Sequence, residues 1–92
     1  MTVRWTPTAL RDLQALHSFI TEDRTHAAVG IVDRILDGIA ALERFPDMGR
    51  PGRVSGMREL VVWPYAVAYR VRRGMAELLA IIHGARRWPD RS

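Results

Sequence analysis

Apolar and polar residues alternate with two different periods along the chain, and the period changes near residue 45. In the first half, apolar positions recur every three or four residues, which predicts two amphipathic helices. The first helix follows Thr6-Pro7, because threonine is a favoured N-cap and proline suits the first helical position. Glu22 to Arg24 should end it. Its apolar stripe comprises Leu10, Leu13, Leu16, His17 and Ile20.

A second helix is predicted after Thr25, which can act as its N-cap, and it should end at Phe45-Pro46. Its apolar stripe comprises Ala28, Ile31, Ile35, Ile39 and Leu42. Gly30 and Gly38 lie within this pattern, and each costs about 1 kcal/mol of helix propensity relative to alanine. We expect these glycines to allow close approach of the two helices of a hairpin.

The second half carries the alternation of strands. A glycine-rich loop is expected from Asp47 to Gly56, followed by strands at Arg58 to Val62, Tyr65 to Arg72 and Ala76 to His83. Trp63-Pro64 and Arg73-Gly74 form the turns, so these strands are antiparallel. With a short strand at Thr2 to Trp5, the order is β-α-α-β-β-β. This order predicts an α+β fold of two layers, a helical hairpin on an antiparallel sheet, in one domain over residues 1–92.

Composition excludes several classes of function. The 92 residues include no cysteine, which excludes disulfides, thiolate nucleophiles and Cys-ligated zinc. We expect a cytoplasmic protein with no membrane contact, since no leader is evident and no apolar stretch approaches the ~20 residues of a membrane span. No two histidines have metal-ligand spacing, and neither a phosphate-binding glycine motif nor a nucleophile elbow occurs. We therefore expect no metal and no cofactor.

Positive charge is concentrated in the second half of the chain. The net charge is +4, and all 14 basic residues are arginine. Residues 1–49 carry more acidic than basic side chains, whereas residues 50–92 carry nine arginines against three acidic residues. This half therefore presents either an ordinary solvated basic face or a surface for an anionic partner. Arginine offers planar, bidentate binding to phosphate or carboxylate.

Four motifs of the second half, in order and at matching spacing, resemble those of the RelE/ParE toxin superfamily. They are FPDMGRPG (45–52), MREL (57–60), YAVAYRV (65–71) and IIHGARRWP (81–89). The resemblance implies the toxin of a type II toxin–antitoxin module. It also implies a small ParD-like or RelB-like antitoxin, which binds operator DNA at one end and wraps the toxin with the other. We expect a hetero-oligomer of the two proteins.

Two cellular targets are known in the superfamily. RelE-like members cleave mRNA on the ribosome, whereas ParE-like members poison DNA gyrase. The RelE-like pattern includes lysines around the second strand and an arginine early in the third, but this chain has no lysine and has Ala66 at that place. Its C-terminal aromatic is Trp88, which lacks a titratable hydroxyl. The ending with His83 and Arg86 is more similar to ParE, so gyrase is the leading hypothesis.

Two other hypotheses remain. One is a ribosome-dependent, metal-independent endoribonuclease, in which His83 transfers a proton while Arg58, Arg70 and Arg86 stabilise phosphate charge. The other is a non-toxic module that only binds its antitoxin. The candidate target-binding residues are Arg50, Arg53, Arg58, Arg70, His83, Arg86, Arg87 and Trp88.

Each candidate also has a structural interpretation. His83 can hydrogen-bond the backbone at the end of its strand, and Arg70 can pair with Glu59 or Glu77 across neighbouring strands. The arginines of the glycine-rich loop are often only solvated, and Trp88 can pack on the helices. We interpret the two tyrosines of the YAVAYRV strand as packing residues rather than base-stacking platforms.

Overall fold

Two helices lie on one face of a five-stranded sheet in the computed structural model, which describes residues 2–23 and 30–84. The strands follow the spatial order β1-β5-β4-β3-β2. Along the chain the elements are β1 Thr2–Trp5, α1 Pro7–Asp23, α2 Ile31–Leu42, β2 Arg50–Pro51, β3 Arg58–Val62, β4 Tyr65–Arg72 and β5 Met75–His83. The predicted two-layer α+β fold is confirmed.

The sheet differs from the predicted one in two ways. It is mixed rather than antiparallel, because β1 pairs in parallel with β5 while the other neighbours are antiparallel. It also has a strand that was predicted as loop: β2 pairs Arg50 with Glu59 and Pro51 with Arg58. A strand of two residues is too short to show alternation, so periodicity misses it.

The junction of β1 and α1 is fixed by Thr6, as the sequence predicted. Its hydroxyl accepts a hydrogen bond from the Ala9 amide (3.3 Å), as an N-cap does, and donates one to the Leu78 carbonyl (2.7 Å). The cap therefore joins the start of α1 to β5. The prediction that Leu10 and His17 lie on the buried stripe of α1 is wrong, because Leu10 is 45% exposed and His17 is also exposed.

α2 packs across β3 through the predicted stripe from Ile31 onward. A β-carbon at Gly38 would lie 3.0 Å from the Leu60 side chain, so this glycine brings the helix close to the sheet and not to α1. The expectation of a glycine-mediated helix–helix contact is therefore wrong for Gly38. Gly30 is the N-cap of α2, with no atom near its missing side chain. Thr25 and Ala28 lie outside the described residues.

The two faces of the sheet have different neighbours. The face toward the helices forms the main core with residues such as Leu60, Val67, Tyr69, Leu78 and Ile81. The opposite face, which we call the distal face, carries the buried cluster of Ala66, Ala68, Ala80 and Ile82. Strand alternation also places Arg4, Glu59, Arg70 and Glu77 on the distal face, since their chain neighbours Trp5, Leu60, Tyr69 and Leu78 belong to the main core.

Candidate target-binding site

Glu59 lies on the distal face and collects the two arginines of the predicted loop. It is 1% exposed, and its carboxylate receives Arg50 Nη2 on Oε1 (3.2 Å) and Arg53 Nε on Oε2 (3.1 Å). The Arg53 amide also donates to Oε2, at 3.1 Å. A buried carboxylate needs such partners, because an unpaired one is costly to desolvate. These arginines therefore hold the loop on β3 while their outer parts stay accessible.

Glu77 forms a second ion-pair cluster on the distal face. Its Oε1 receives Arg70 Nε at 2.6 Å, and its Oε2 receives Arg4 Nη1 at 3.0 Å. Arg70 and Arg4 lie directly opposite Glu77 on the two neighbouring strands. The hydrogen bond from Arg70 is the main reason that the pKa of Glu77 lies below its usual value. Of the two partners proposed for Arg70, Glu77 is thus the one observed.

Arg58 and Tyr69 hold the FPDMGRPG segment on the sheet. Arg58 Nη1 donates to the carbonyls of Gly49 (2.8 Å) and Asp47 (3.2 Å), and Nη2 lies 3.8 Å from the Asp47 carboxylate. The fully buried Tyr69 donates its hydroxyl to the Pro46 carbonyl (2.7 Å) and accepts from the Gly49 amide (3.0 Å). Burial raises the pKa of this phenol. Tyr69 is therefore a packing residue with a structural polar role.

His83 lies at the opposite end of the strands and on the helix side of the sheet. Its ring meets Tyr65 edge to face, with centroids 5.5 Å apart. Both line a partly open cavity of about 230 Å³ beside α1, together with Asp12 and Phe19. Asp12 was missed by sequence reasoning: its carboxylate accepts the Ile81 amide at 3.0 Å, where β1 no longer pairs with β5.

The predicted candidates therefore separate into groups. Arg50 and Arg53 meet at Glu59, Arg70 lies at Glu77, and Arg58 binds the loop carbonyls. On β4, Tyr65 lies opposite His83 and Tyr69 lies opposite Arg58. Tyr65 and Tyr69 are four residues apart, so His83 and Arg58 are separated by about 13 Å along the strand direction. The remaining candidates, Arg86, Arg87 and Trp88, lie outside the described residues.

Residues 2–23 and 30–84 contain no group of three His, Asp or Glu side chains that could hold a metal ion. No helix within those ranges is long and apolar enough to cross a membrane. Large apolar side chains are nevertheless exposed at one end of the sheet, where Trp63 is 75% accessible in the β3–β4 turn and Val61 precedes it on β3.

Comparison with known proteins places this arrangement in a family. The family model described as the ParE toxin of type II toxin–antitoxin systems matches residues 3–88. The chain belongs to the ParE toxin family. The family match spans both ion-pair clusters, the loop held by Tyr69 and the cavity at His83. The superfamily predicted from the four motifs is therefore confirmed.

Two relatives of this ParE-family chain are similar to it over almost their whole length. The Y4kP protein of Sinorhizobium fredii is 40% identical over 90 residues, covering 96% of this chain and 93% of the relative. Toxin RelE2 of Caulobacter vibrioides is 35% identical over 85 residues, covering 91% of this chain and 96% of the relative.

Solved structures of toxin–antitoxin systems have the same fold. A chain of the chromosomal ParDE system from P. aeruginosa superposes with a TM-score of 0.74 at 27% identity, covering 90% of this chain and 95% of that one. A chain of the RelBE2 toxin–antitoxin complex from Mycobacterium tuberculosis superposes with a TM-score of 0.66 at 26% identity, covering 89% and 95%.

Proposed function

We propose that this ParE-family toxin arrests growth by binding DNA gyrase, in the cytoplasm, and that a cognate antitoxin neutralises it. The separation of His83 from Arg58 and Arg70 is the observation that supports a binding role most directly. A general acid or base must come within about 2.6–3.2 Å of the proton that it transfers. His83 lies about 13 Å along the sheet from the level of Arg58 and faces α1. Arg70 lies on the distal face.

The arginines themselves are consistent with a docking surface. Arg50 and Arg53 are bound to Glu59 and Arg70 to Glu77, so their positions are fixed before any target arrives. Fixed arginines lose less conformational freedom on binding than free ones. Arginine and tryptophan are favoured anchors of protein interfaces, and Trp63 is exposed at the end of the same sheet. An acidic surface of gyrase would complement this basic half.

The lack of lysine and the environment of Ala66 argue in the same direction. Ala66 occupies the place of the third-strand arginine of RelE-like toxins and is 2% exposed on the distal face. A methyl group there offers no charge to a scissile phosphate. The nuclease hypothesis would therefore need another cation at this place.

An antitoxin would dock on the helices. A partly open groove of about 420 Å³ runs between α1 and α2, and its lining includes Leu13, His17, Val32 and Leu36. An apolar groove between helices suits the apolar face of an amphipathic helix. Support comes from the two structural neighbours, since one belongs to a ParDE toxin–antitoxin system and the other to the RelBE2 toxin–antitoxin complex. We expect a hetero-oligomer with a ParD-like or RelB-like partner.

The test is a supercoiling assay with purified gyrase and relaxed plasmid, run beside a translation extract in which mRNA is followed by primer extension. We expect loss of supercoiling and intact mRNA. No effect on gyrase at high micromolar toxin would contradict the proposal. Cleaved mRNA would favour the endoribonuclease, and unimpaired growth after strong induction without antitoxin would favour the non-toxic module.

Two histidine variants separate binding from catalysis. His83→Ala removes the candidate acid–base group, and His17→Ala is its matched control, an exposed histidine on α1. Under the gyrase proposal both variants keep the toxicity of the parent. If His83→Ala alone abolishes toxicity while retaining its circular dichroism spectrum, the binding mechanism is wrong and proton transfer becomes the better account.

A further inference from the structure

A basic pocket lies at the end of the sheet far from His83. It is a cavity of about 130 Å³ where β1 starts and β4 turns into β5, lined by Arg4, Arg72, Arg73, Met75 and Glu77. None of the hypotheses about gyrase, mRNA or antitoxin uses Arg4, Arg72 or Arg73. A role for this pocket therefore does not depend on the proposed function.

The charges in and around this pocket are unbalanced. Arg4 and Arg70 occupy the two oxygens of Glu77, one each. Arg72 and Arg73 are both exposed, and neither forms an ion pair within the described part of the chain. Three guanidinium groups and one carboxylate thus line the pocket, which leaves two positive charges, while Arg70 lies beside it on Glu77. Like charges that line one small cavity repel each other, and an anion between them would relieve the repulsion.

The backbone of the turn gives a second reason to assign a role to Arg73. Arg73 and Gly74 have φ angles of +51° and +74°, the left-handed pair that a two-residue hairpin turn requires. Asparagine, aspartate and glycine are the residues usually found at the first of these positions. Arg73 places a cation at the pocket rim although this turn position favours asparagine, aspartate or glycine. Residues that depart from the backbone preference of their position are concentrated at functional sites.

Glu77 organises the pocket rather than filling it. Because its two oxygens hold Arg4 and Arg70, the guanidinium of Arg4 is fixed at the pocket wall. A guanidinium presents five N–H donors in a plane, and a carboxylate uses only some of them. The remaining donors suit the oxygens of a tetrahedral anion, which accepts from several arginines at once.

We propose that this pocket binds a phosphate group. The excess of two positive charges in the pocket lining suits a phosphate better than a second carboxylate, which is planar and carries a single charge. The phosphate comes either from free phosphate or a nucleotide, or from the backbone of a nucleic acid. Backbone contacts of this kind position a protein without reading sequence.

The test uses the full-length chain at low ionic strength and two probes, inorganic phosphate and a 12-base-pair DNA duplex. Binding is followed through the arginine Nε–Hε resonances. The pocket variant is Arg72→Gln with Arg73→Asn, since asparagine suits the left-handed turn. The control is Arg11→Gln with Arg34→Gln, two exposed helix arginines that change the net charge equally.

We expect saturable shifts of the Arg4, Arg72 and Arg73 resonances with phosphate, which the pocket variant loses and the control keeps. Tighter binding of the duplex at the same residues would assign the ligand to a nucleic-acid backbone. In that case the pocket variant weakens duplex affinity about tenfold and lowers the slope of log affinity against log salt by roughly 2. Shifts with phosphate but none with the duplex would assign it to a free phosphate or nucleotide.

Three results would overturn the proposal. They are no saturable shift with phosphate, an equal loss in the control variant, and preferential binding of a poly-glutamate peptide at the same arginines. Glu77→Gln tests the organising role of Glu77, because a single amide oxygen cannot hold both Arg4 and Arg70 as the carboxylate does. Phosphate should bind this variant more weakly than the parent, and equal or tighter binding would contradict the assigned role of Glu77.

Discussion

Replacing Tyr69 by phenylalanine tests how the loop after α2 is held on the sheet. The Tyr69 hydroxyl donates to the Pro46 carbonyl at 2.7 Å and accepts from the Gly49 amide at 3.0 Å. The phenylalanine variant keeps the buried ring and removes only the oxygen. Both loop groups would then lose a partner at a place where the tyrosine side chain is fully buried.

The expected cost follows from those two bonds. Leaving a buried donor or acceptor unsatisfied costs about 1–3 kcal/mol, and relaxation of the loop recovers part of it, so we expect about 2 kcal/mol. For a domain of this size 1 kcal/mol lowers Tm by about 4–8 °C, which gives a fall of roughly 10 °C. Such a loss is a large part of the stability of a small domain, about 5–14 kcal/mol at 0.05–0.15 kcal/mol per residue.

Urea denaturation measures this loss, with Tyr65→Phe as the matched control. Tyr65 packs on His83 and its hydroxyl makes no hydrogen bond to a described residue, so this variant should stay within about 0.5 kcal/mol of the parent. The m-value should be unchanged in both, because the same surface is exposed on unfolding. If Tyr69→Phe unfolds at the same urea concentration as the parent, the hydroxyl does not hold the loop.

The pH dependence of the same two proteins gives an independent check. Burial raises the pKa of Tyr69 above the ordinary tyrosine value of 10.0. The folded state therefore keeps the phenol proton to a higher pH than the unfolded chain does, and the stability that the protonated phenol contributes is lost as pH rises above about 10. Tyr69→Phe should lack this part of the loss of stability at alkaline pH. An identical decline in both proteins would refute the assigned cause.

Three further substitutions test the distal face and its loop, each by urea denaturation. Gly49→Ala should destabilise by at least 2 kcal/mol, on the order expected for overpacking, since its methyl would lie 2.5 Å from the Tyr69 oxygen; Gly30→Ala, in open space, should be neutral. Glu59→Gln should cost about 1–2 kcal/mol, because two arginines lose their carboxylate; a neutral result would contradict the ion-pair account. Glu77→Gln should reduce the loss of stability at acid pH. The pKa of the Glu77 carboxyl is lowered in the folded state, so the stability that it contributes is present above pH 4.5 and is lost as pH falls below that value.

Local patterns predicted the elements of the second half well, because β-branched, aromatic and other apolar residues fill the strands while Trp63-Pro64 and Arg73-Gly74 mark the turns between them. The bounds Arg58–Val62 and Tyr65–Arg72 are those observed, and β5 starts one residue earlier than predicted, at Met75. The Arg73-Gly74 turn was also predicted, and Glu77 was one of the two partners proposed for Arg70. The β4 alternation holds through Tyr69, but Val71 is exposed at the end of the strand.

Features that depend on distant neighbours were not visible. His17 lies at helical spacing from the apolar residues of α1, yet it is exposed on the flank of the helix. The spacing of apolar positions does not show how much of the helix surface the sheet covers. In the sequence Glu59 is an ordinary strand carboxylate, and only the folded chain brings Arg50 of β2 and the following Arg53 into contact with it. Asp12 has its role only because β1 stops at Trp5 and leaves the Ile81 amide without a strand partner.

The central claim is that this toxin acts by binding gyrase and not by cutting mRNA. The most direct measurement is labelling of DNA and protein synthesis side by side in cells after induction of the chain without its antitoxin. The account predicts an early stop in DNA synthesis with filamentous cells, equal in the parent and in His83→Ala. An early stop in protein synthesis that His83→Ala abolishes would contradict it.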